Sequence, residues 1–399
     1  LCLFIGIMMI LVACSQNTSE SSEEESNQSA NETTENNHQQ DATGENNDPP
    51  SGELKVAYSA QPPTIDTYIT TSRATNDIAR HIFETLITTD SNYQVQPMLA
   101  ESWEQSEDGK TFTFYLRKGI LFHNGKEMKA EDVVASMNRW KETSSLGKDN
   151  FSEAIFEEID EYTVALNLPE PLSITLPVLA YVGGSLPGIM PKEIVETADE
   201  TGVKEYIGTG PFKFEEWKQD QYILLKRFAD YQPRSEEPDG LAGRREALVE
   251  DLYFLFVQDP LTAIAGLETG EYDIVHGVAR DNVEQLEQNP EIEVSVHPSG
   301  PLAVYFNKRK GLFTDKKARQ AIVSMLDADA ILKSAYSDEK FYELNHNIMT
   351  YHQLGQWGTD VGKDKYNQKD KEKAKQLLAE AGYNGEEITM ITSRDYIQM

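Results

Sequence analysis

Cysteine is nearly absent: of 399 residues only Cys2 and Cys14 carry a thiol. Both lie ahead of the body of the chain, so no internal disulfide or Cys-ligated metal can staple that body, and the fold must rest on core packing. Basic charge is scarce too. Lys and Arg number 36 against 67 Asp and Glu, a formal net charge of −31, which excludes a nucleic-acid partner because phosphate binding needs a basic surface. Such acidity is first of all a solvated surface that keeps a protein soluble, and a cationic ligand or partner could also exploit it. Catalytic signatures are missing: there is no His-Glu-x-x-His and no Gly-x-Ser-x-Gly elbow. Gly208-Thr209-Gly210-Pro211 lacks the Gly-Lys-Ser/Thr of a phosphate loop, and Pro211 removes a donor. The seven histidines (His38, His81, His123, His276, His297, His346 and His352) form no metal spacing beyond the weak His346/His352 pair. Enzyme chemistry, a cofactor and a metal therefore have no support.

What is present begins with an apolar run, Leu1 to Ala13, too short for the ~20 residues of a membrane span. It fits the h-region of a secretory signal peptide. The sequence opens on Leu1 without a basic n-region, so further residues are expected before it. The run ends in Leu11-Val12-Ala13-Cys14, which resembles the lipobox of bacterial lipoproteins, and that resemblance makes Cys14 the acylated residue and new N-terminus. Positions 14–52 read as a disordered acidic tether. From Ser15 to Gly52 there is no aromatic residue, Lys or Arg, too little apolar area to offset the entropy of ordering. As a coil these 38 residues would reach roughly 35 Å. Two or three acyl chains, at about 0.8 kcal/mol per buried CH₂, hold a protein firmly at a membrane.

The body shows a mixed pattern. Strands are expected at Glu53 to Tyr58, Ser102 to Gln105, Thr111 to Leu116, Tyr162 to Leu168, Tyr272 to Val275, Ile292 to His297, Leu302 to Asn307 and Ile388 to Thr392. Phe212 to Trp217 and Tyr222 to Phe228 read as a hairpin around Gln219-Asp220. Helical spacing marks Ala74 to Ile87, and a second helix carries Val133, Val134, Met137 and Trp140 on one face. Asp259 and Pro260 open a helix that Thr269 and Gly270 close. Further helices are expected at Asp315 to Leu326, Ala328 to Tyr336 and Lys371 to Ala381. Strands and helices without strict alternation point to an α/β protein with several subdomains.

Four blocks then carry a resemblance. Leu99 to Trp140 contains Leu99-Ala100-Glu101-Ser102-Trp103, Leu116-Arg117-Lys118-Gly119 with Phe122-His123, and Ala130-Glu131-Asp132-Val133. Gly208-Thr209-Gly210-Pro211-Phe212 runs through Trp217 to Asp230-Tyr231. Val304-Tyr305-Phe306-Asn307 precedes Phe313-Thr314-Asp315 and Ala318-Arg319-Gln320-Ala321-Ile322, and Ala379-Glu380-Ala381-Gly382-Tyr383 comes last. In this order they resemble the extracellular solute-binding proteins of the peptide and nickel importer class, family five. Lys129 departs from that pattern where a Ser or Thr helix cap is usual, and Gln232 where a Trp is.

The resemblance implies a periplasmic-binding-protein type II-like fold, two lobes hinged around a ligand with an extra subdomain on lobe one. Lobe one would be 53–88 plus 207–298, the subdomain 89–206 and lobe two 299–399, incomplete because family members run on further. It implies a monomer that binds an oligopeptide or dipeptide and serves an ABC permease and its ATPase at the outer face of the cytoplasmic membrane. A nickel chelate, haem or oligosaccharide is the alternative cargo, and a ligand-loaded signalling receptor the alternative role. By the same resemblance Thr71, Ser72 and Arg73, just before a helix, meet ligand from lobe one, though an ordinary helix start reads the same way. His276, Gly277 and Val278 fall near the lobe junction, where Gly lets backbone come close to ligand, or form a plain turn. Trp357, in a Gly-flanked loop, suits either an apolar wall or the core. Tyr181, heading Tyr181-Val182-Gly183-Gly184, is a further candidate lining residue, and His123 is structural.

Overall fold

The computed structural model describes residues 51–296, 302–336, 338–349 and 353–391. Strand β1 (Glu53–Tyr58) opens the body and ends on buried Ala57 and Tyr58. Helix α1 (Arg73–Ala79) follows, capped by Ser72, whose Oγ accepts from the Thr75 amide at 3.4 Å. Apolar spacing predicted this helix from Ala74 to Ile87, but it stops at Ala79. The His81 and Ile82 carbonyls instead accept from the Phe212 and Gly210 amides, at 3.1 and 2.8 Å, so a tertiary partner replaces the next helical turn. Ile78, Ile82, Phe83 and Leu86 are buried all the same, which is what their spacing recorded. Strands β2 (Ile87–Thr89) and β3 (Val95–Pro97) form a small antiparallel pair.

Next come β4 (Ala100–Gln105) and β5 (Thr111–Leu116), then helix α2 (Ala130–Thr143). Val133, Met137 and Trp140 form the buried stripe of α2, with Val134 on its shoulder. The cap expected to be missing at Lys129 is half replaced: Asp132 Oδ2 accepts from the Lys129 amide at 3.0 Å. Helix α3 (Ser145–Phe151), strands β6 (Ile155–Asp160) and β7 (Thr163–Asn167), and helices α4 (Thr175–Leu179) and α5 (Lys192–Glu196) complete this stretch. The chain then runs through β8 (Phe212–Lys218), β9 (Tyr222–Arg227), β10 (Asp251–Phe256), α6 (Pro260–Glu268), β11 (Ile274–Val275) and α7 (Val283–Glu287). Asp259 caps α6 as expected, accepting from the Thr262 amide at 2.7 Å. Helices α8 (Lys316–Met325), α9 (Ala328–Tyr336), α10 (Leu354–Trp357) and α11 (Lys371–Glu380) follow.

Two larger sheets organise these elements. One has the order β11-β1-β10-β9-β8, with β1 parallel to both β10 and β11 and the rest antiparallel. Pairing β1 with β10 closes a loop of almost two hundred residues, and that loop contains the whole second sheet, β4-β5-β7-β6, with α2 packed against it. Alternation on β5 buries Phe112, Phe114 and Leu116 and turns Tyr115 outward, as a sheet with one covered face requires. One apolar core runs through both, and a small cluster of Ala57, Ala263 and Tyr272 seats α6 on the first sheet.

Three expected strands are not formed. Residues 292–296, 302–307 and 388–391 are rich in apolar residues but adopt no strand. A strand exists only as part of a ladder, and these segments join none of the sheets formed by the described residues. Most of their apolar side chains stay outside, Tyr305 and Ile391 each 93% exposed. The strand expected from Tyr272 forms only at Ile274–Val275. His297 and Thr392 lie outside the described residues, as do the signal segment 1–13, Cys14, the tether to residue 50, His38 and His352. No helix among the described residues is long and apolar enough to cross a membrane.

Candidate functional site

The loop between β1 and α1 is fixed before it reaches the candidate residues. Asp66, fully buried, accepts from the amides of Tyr68 (3.0 Å) and Val203 (2.9 Å) and from Arg139 of α2 at 2.5 and 3.3 Å. Thr67 Oγ1 donates to the Leu186 carbonyl at 2.7 Å, and the Tyr68 hydroxyl to that of Gly188. Burying a carboxylate is tolerable only when its lone pairs are this well served. The result is a rigid approach to Thr71, Ser72 and Arg73.

Around α1 the structure assembles one constellation. The end of β11 lies beside the end of β1, because the His276 amide extends their pairing to the Ala57 carbonyl at 3.0 Å. That register sets the His276 imidazole on the Tyr58 ring, with centroids 4.8 Å apart and planes inclined by 6°. The Tyr58 hydroxyl donates to Asp77 Oδ2 at 2.7 Å. Asp77 also meets Arg80 through Oδ1 and Arg73 through Oδ2, the latter at 3.5 Å. Burial, and then the nearby Arg73 charge, hold the imidazole of His276 below its ordinary pKa, so it is neutral at pH 7. Burial and the bond to Asp77 push the Tyr58 hydroxyl up, so it stays a donor.

Of the sequence candidates, Ser72, Arg73 and His276 thus belong to one neighbourhood. Thr71 is exposed, and a Cβ on Gly184 would lie 3.3 Å from its Cβ, which brings the 181–184 segment alongside. Tyr181 itself is half exposed and folds over Gly183. Gly277 takes φ of +80°, and a Cβ there would meet nothing within 4 Å. The turn needs glycine for its backbone angle, and no protein group approaches it. Val278 follows, partly buried. Trp357 ends the short helix α10 and is 57% exposed, so it is neither in a loop nor in the core, and no ring contact or hydrogen bond ties it to this constellation among the described residues. Sequence reasoning missed Tyr58 and Asp77. Asp77 stands four residues after Arg73 on α1 and was legible as a helical pair; the Tyr58–His276 stack depends on a strand register that no local pattern records.

Other candidates resolve into framework. His123 Nδ1 accepts from the Gly208 amide at 3.3 Å while Nε2 donates to the Gly210 carbonyl at 2.9 Å, a pattern that requires the neutral ring with its proton on Nε2. Burial pushes its pKa down to about 4. Gly208 and Gly210 press against the Ile82 and His81 carbonyls, where a Cβ would come within 2.1 and 2.4 Å, so this segment is a packing joint. Gln232 lends its carbonyl to Arg117 Nη2 at 2.8 Å. His346 hydrogen-bonds the Thr359 carbonyl through Nε2. No group of three or more metal-ligating side chains occurs among the described residues.

Comparison with known proteins gives a consistent result. The family described as bacterial extracellular solute-binding proteins, family 5 middle, matches residues 94–398. The "Probable peptide ABC transporter periplasmic-binding protein y4tO" of Sinorhizobium fredii is 32% identical, over 84% of this chain and 63% of its own length. The oligopeptide-binding protein AppA of Bacillus subtilis, solved with a nonapeptide, superposes with a TM-score of 0.65 at 26% identity, covering 83% of this chain and 64% of that one. The periplasmic binding protein DppA of Helicobacter pylori, in complex with the peptide STSA, gives 0.68 at 28% identity, covering 84% and 67%. The chain thus spans 61–64% of the length of the curated relatives it matches first. The fold is of the type II periplasmic-binding-protein class.

Proposed function

This chain belongs to the bacterial extracellular solute-binding proteins of family 5, and from that premise we propose that it captures an oligopeptide or dipeptide outside the cell for an ATP-driven importer. The observation that carries the reading is the continuous family match from residue 94 to 398, joined to relatives whose own names specify peptides. Residues 53–88 with 207–298 act as one lobe, 89–206 as its extra subdomain and 299 onward as the other lobe. Ligand touches both lobes only when they close, so binding shifts the population toward the closed state. Thr71, Ser72, Arg73, Tyr181, His276, Gly277 and Val278 form the face that lobe one offers, and Trp357 contributes from the other lobe.

The protein works as a monomer and passes its cargo to a permease and its ATPase. Lipid on Cys14 holds it at the outer face of the cytoplasmic membrane, and substituting Cys14→Ser would release it into the medium. Capture needs no covalent step, so no residue is assigned a catalytic role and no cofactor is required. A thermal-shift panel of short peptides, a nickel–histidine chelate, haem and oligosaccharides tests the cargo. A ligand at 100 times its Kd adds about 2.7 kcal/mol of stability. Peptides should raise the unfolding temperature; stabilisation by the chelate, haem or a saccharide alone would replace the peptide reading.

A further inference from the structure

The least firmly held charge in the constellation is Arg73. Asp77 is already served without it, since Tyr58 donates to Oδ2 at 2.7 Å and Arg80 takes Oδ1. Arg80 is itself fixed through Nε to the Asn76 carbonyl at 3.1 Å. Arg73 reaches Oδ2 only at 3.5 Å, and 61% of its side chain is exposed. Ion pairs of that length and exposure hold a guanidinium weakly. Rotating Arg73 away costs Asp77 neither of its better partners.

The surroundings suit an anion. Two guanidiniums flank one carboxylate, and the stacked His276 carries no charge at pH 7. A ligand ammonium has little to gain here, because the single carboxylate is already committed to Tyr58 and Arg80. An acidic solute approaching a chain of net charge −31 meets long-range repulsion, which a local cation must offset. A planar guanidinium matches a carboxylate in two parallel hydrogen bonds, which a lysine cannot reproduce.

We propose that Arg73 determines specificity by swinging off Asp77 to clasp a carboxylate of the captured solute, with the Tyr58–His276 stack as the adjoining wall. The inference rests on the peptide-capture reading above and narrows it to solutes that present a carboxylate at this position. That group is either the peptide's own C-terminus or an acidic side chain.

Calorimetric titration of the full-length protein distinguishes these sources. Four probes suffice: tetra-alanine, its C-terminal amide, Ala-Ala-Glu-Ala amide and Ala-Ala-Gln-Ala amide. The wild type should bind one carboxylate probe roughly tenfold or more tightly than its uncharged counterpart, and the discriminating pair identifies the source. Arg73→Gln should erase the preference, and Arg73→Lys should keep part of it. Unchanged unfolding midpoints would show that the exposed substitutions leave the fold intact. Discrimination that survives in Arg73→Gln, or is absent from the wild type, overturns the anchor and leaves peptide capture standing. No binding of any probe, nor of di-alanine, to any form overturns both.

Discussion

The part of the chain up to α7 and the part from residue 302 onward make opposite use of their apolar residues. In the first, Trp140, Tyr68, Phe83, Phe112, Phe114 and Phe151 are all sealed inside. In the second, the buried hydrophobic residues among those described are Ala318, Ala321 and Ala374, where α8 packs on α11, while Leu302, Tyr305, Ile348, Trp357, Val361 and Met390 face outward. The same kind of sequence pattern stands behind both. An alternating or periodic apolar run states which face wants cover, and only the rest of the fold decides whether cover is there.

The contrast can be broken by mutation. The largest effect is expected at Trp140, fully buried, with Nε1 donating to the Ser185 carbonyl at 2.7 Å. Trp140→Ala should lower stability by about 3–5 kcal/mol in urea unfolding; a loss below about 1 kcal/mol would show that the first region is not the rigid one. Next comes Arg139→Met, which strands the Asp66 carboxylate in the core and should cost about 3 kcal/mol or more.

A smaller, pH-dependent effect is expected at His123. Its folded pKa, about 4, lies below the unfolded value near 6.5, so the unfolded chain binds the extra proton and stability falls as pH drops through that window. Above pH 6.5 the contribution is complete, and His123→Gln should flatten the slope between pH 6.5 and 4 relative to the wild type. Equal slopes for the two proteins would contradict a buried neutral ring. The smallest effect belongs to Trp357→Ala, which should change stability by less than about 0.5 kcal/mol because the ring is mostly exposed. A loss comparable to that of Trp140→Ala would erase the contrast between the regions.

Much of this was legible in the sequence. The β8–β9 hairpin, α2, and α6 with its Asp259 cap follow from local period and turn chemistry, and they form where expected. The end of α1 was not legible, because it is imposed by amides from Gly210 and Phe212 far along the chain. Nor were the unformed strands at 302–307 and 388–391, whose apolar character was real but whose ladder partners are absent among the described residues. The candidate site divides in the same way. Ser72, Arg73 and His276 came from resemblance, whereas Tyr58 enters only through the parallel pairing of β1 with β11. Asp77 alone had a local signal, four residues after Arg73.

Hydrogen exchange followed by mass spectrometry, with and without the peptide that gives the largest thermal shift, tests the central claim most directly. Bound ligand should slow exchange together at 71–73, 181–184 and 276–278, three stretches separated in sequence and gathered around α1, and leave the β4–β5 pair unchanged. Protection confined to other segments, with all three of these exchanging as before, would contradict the account.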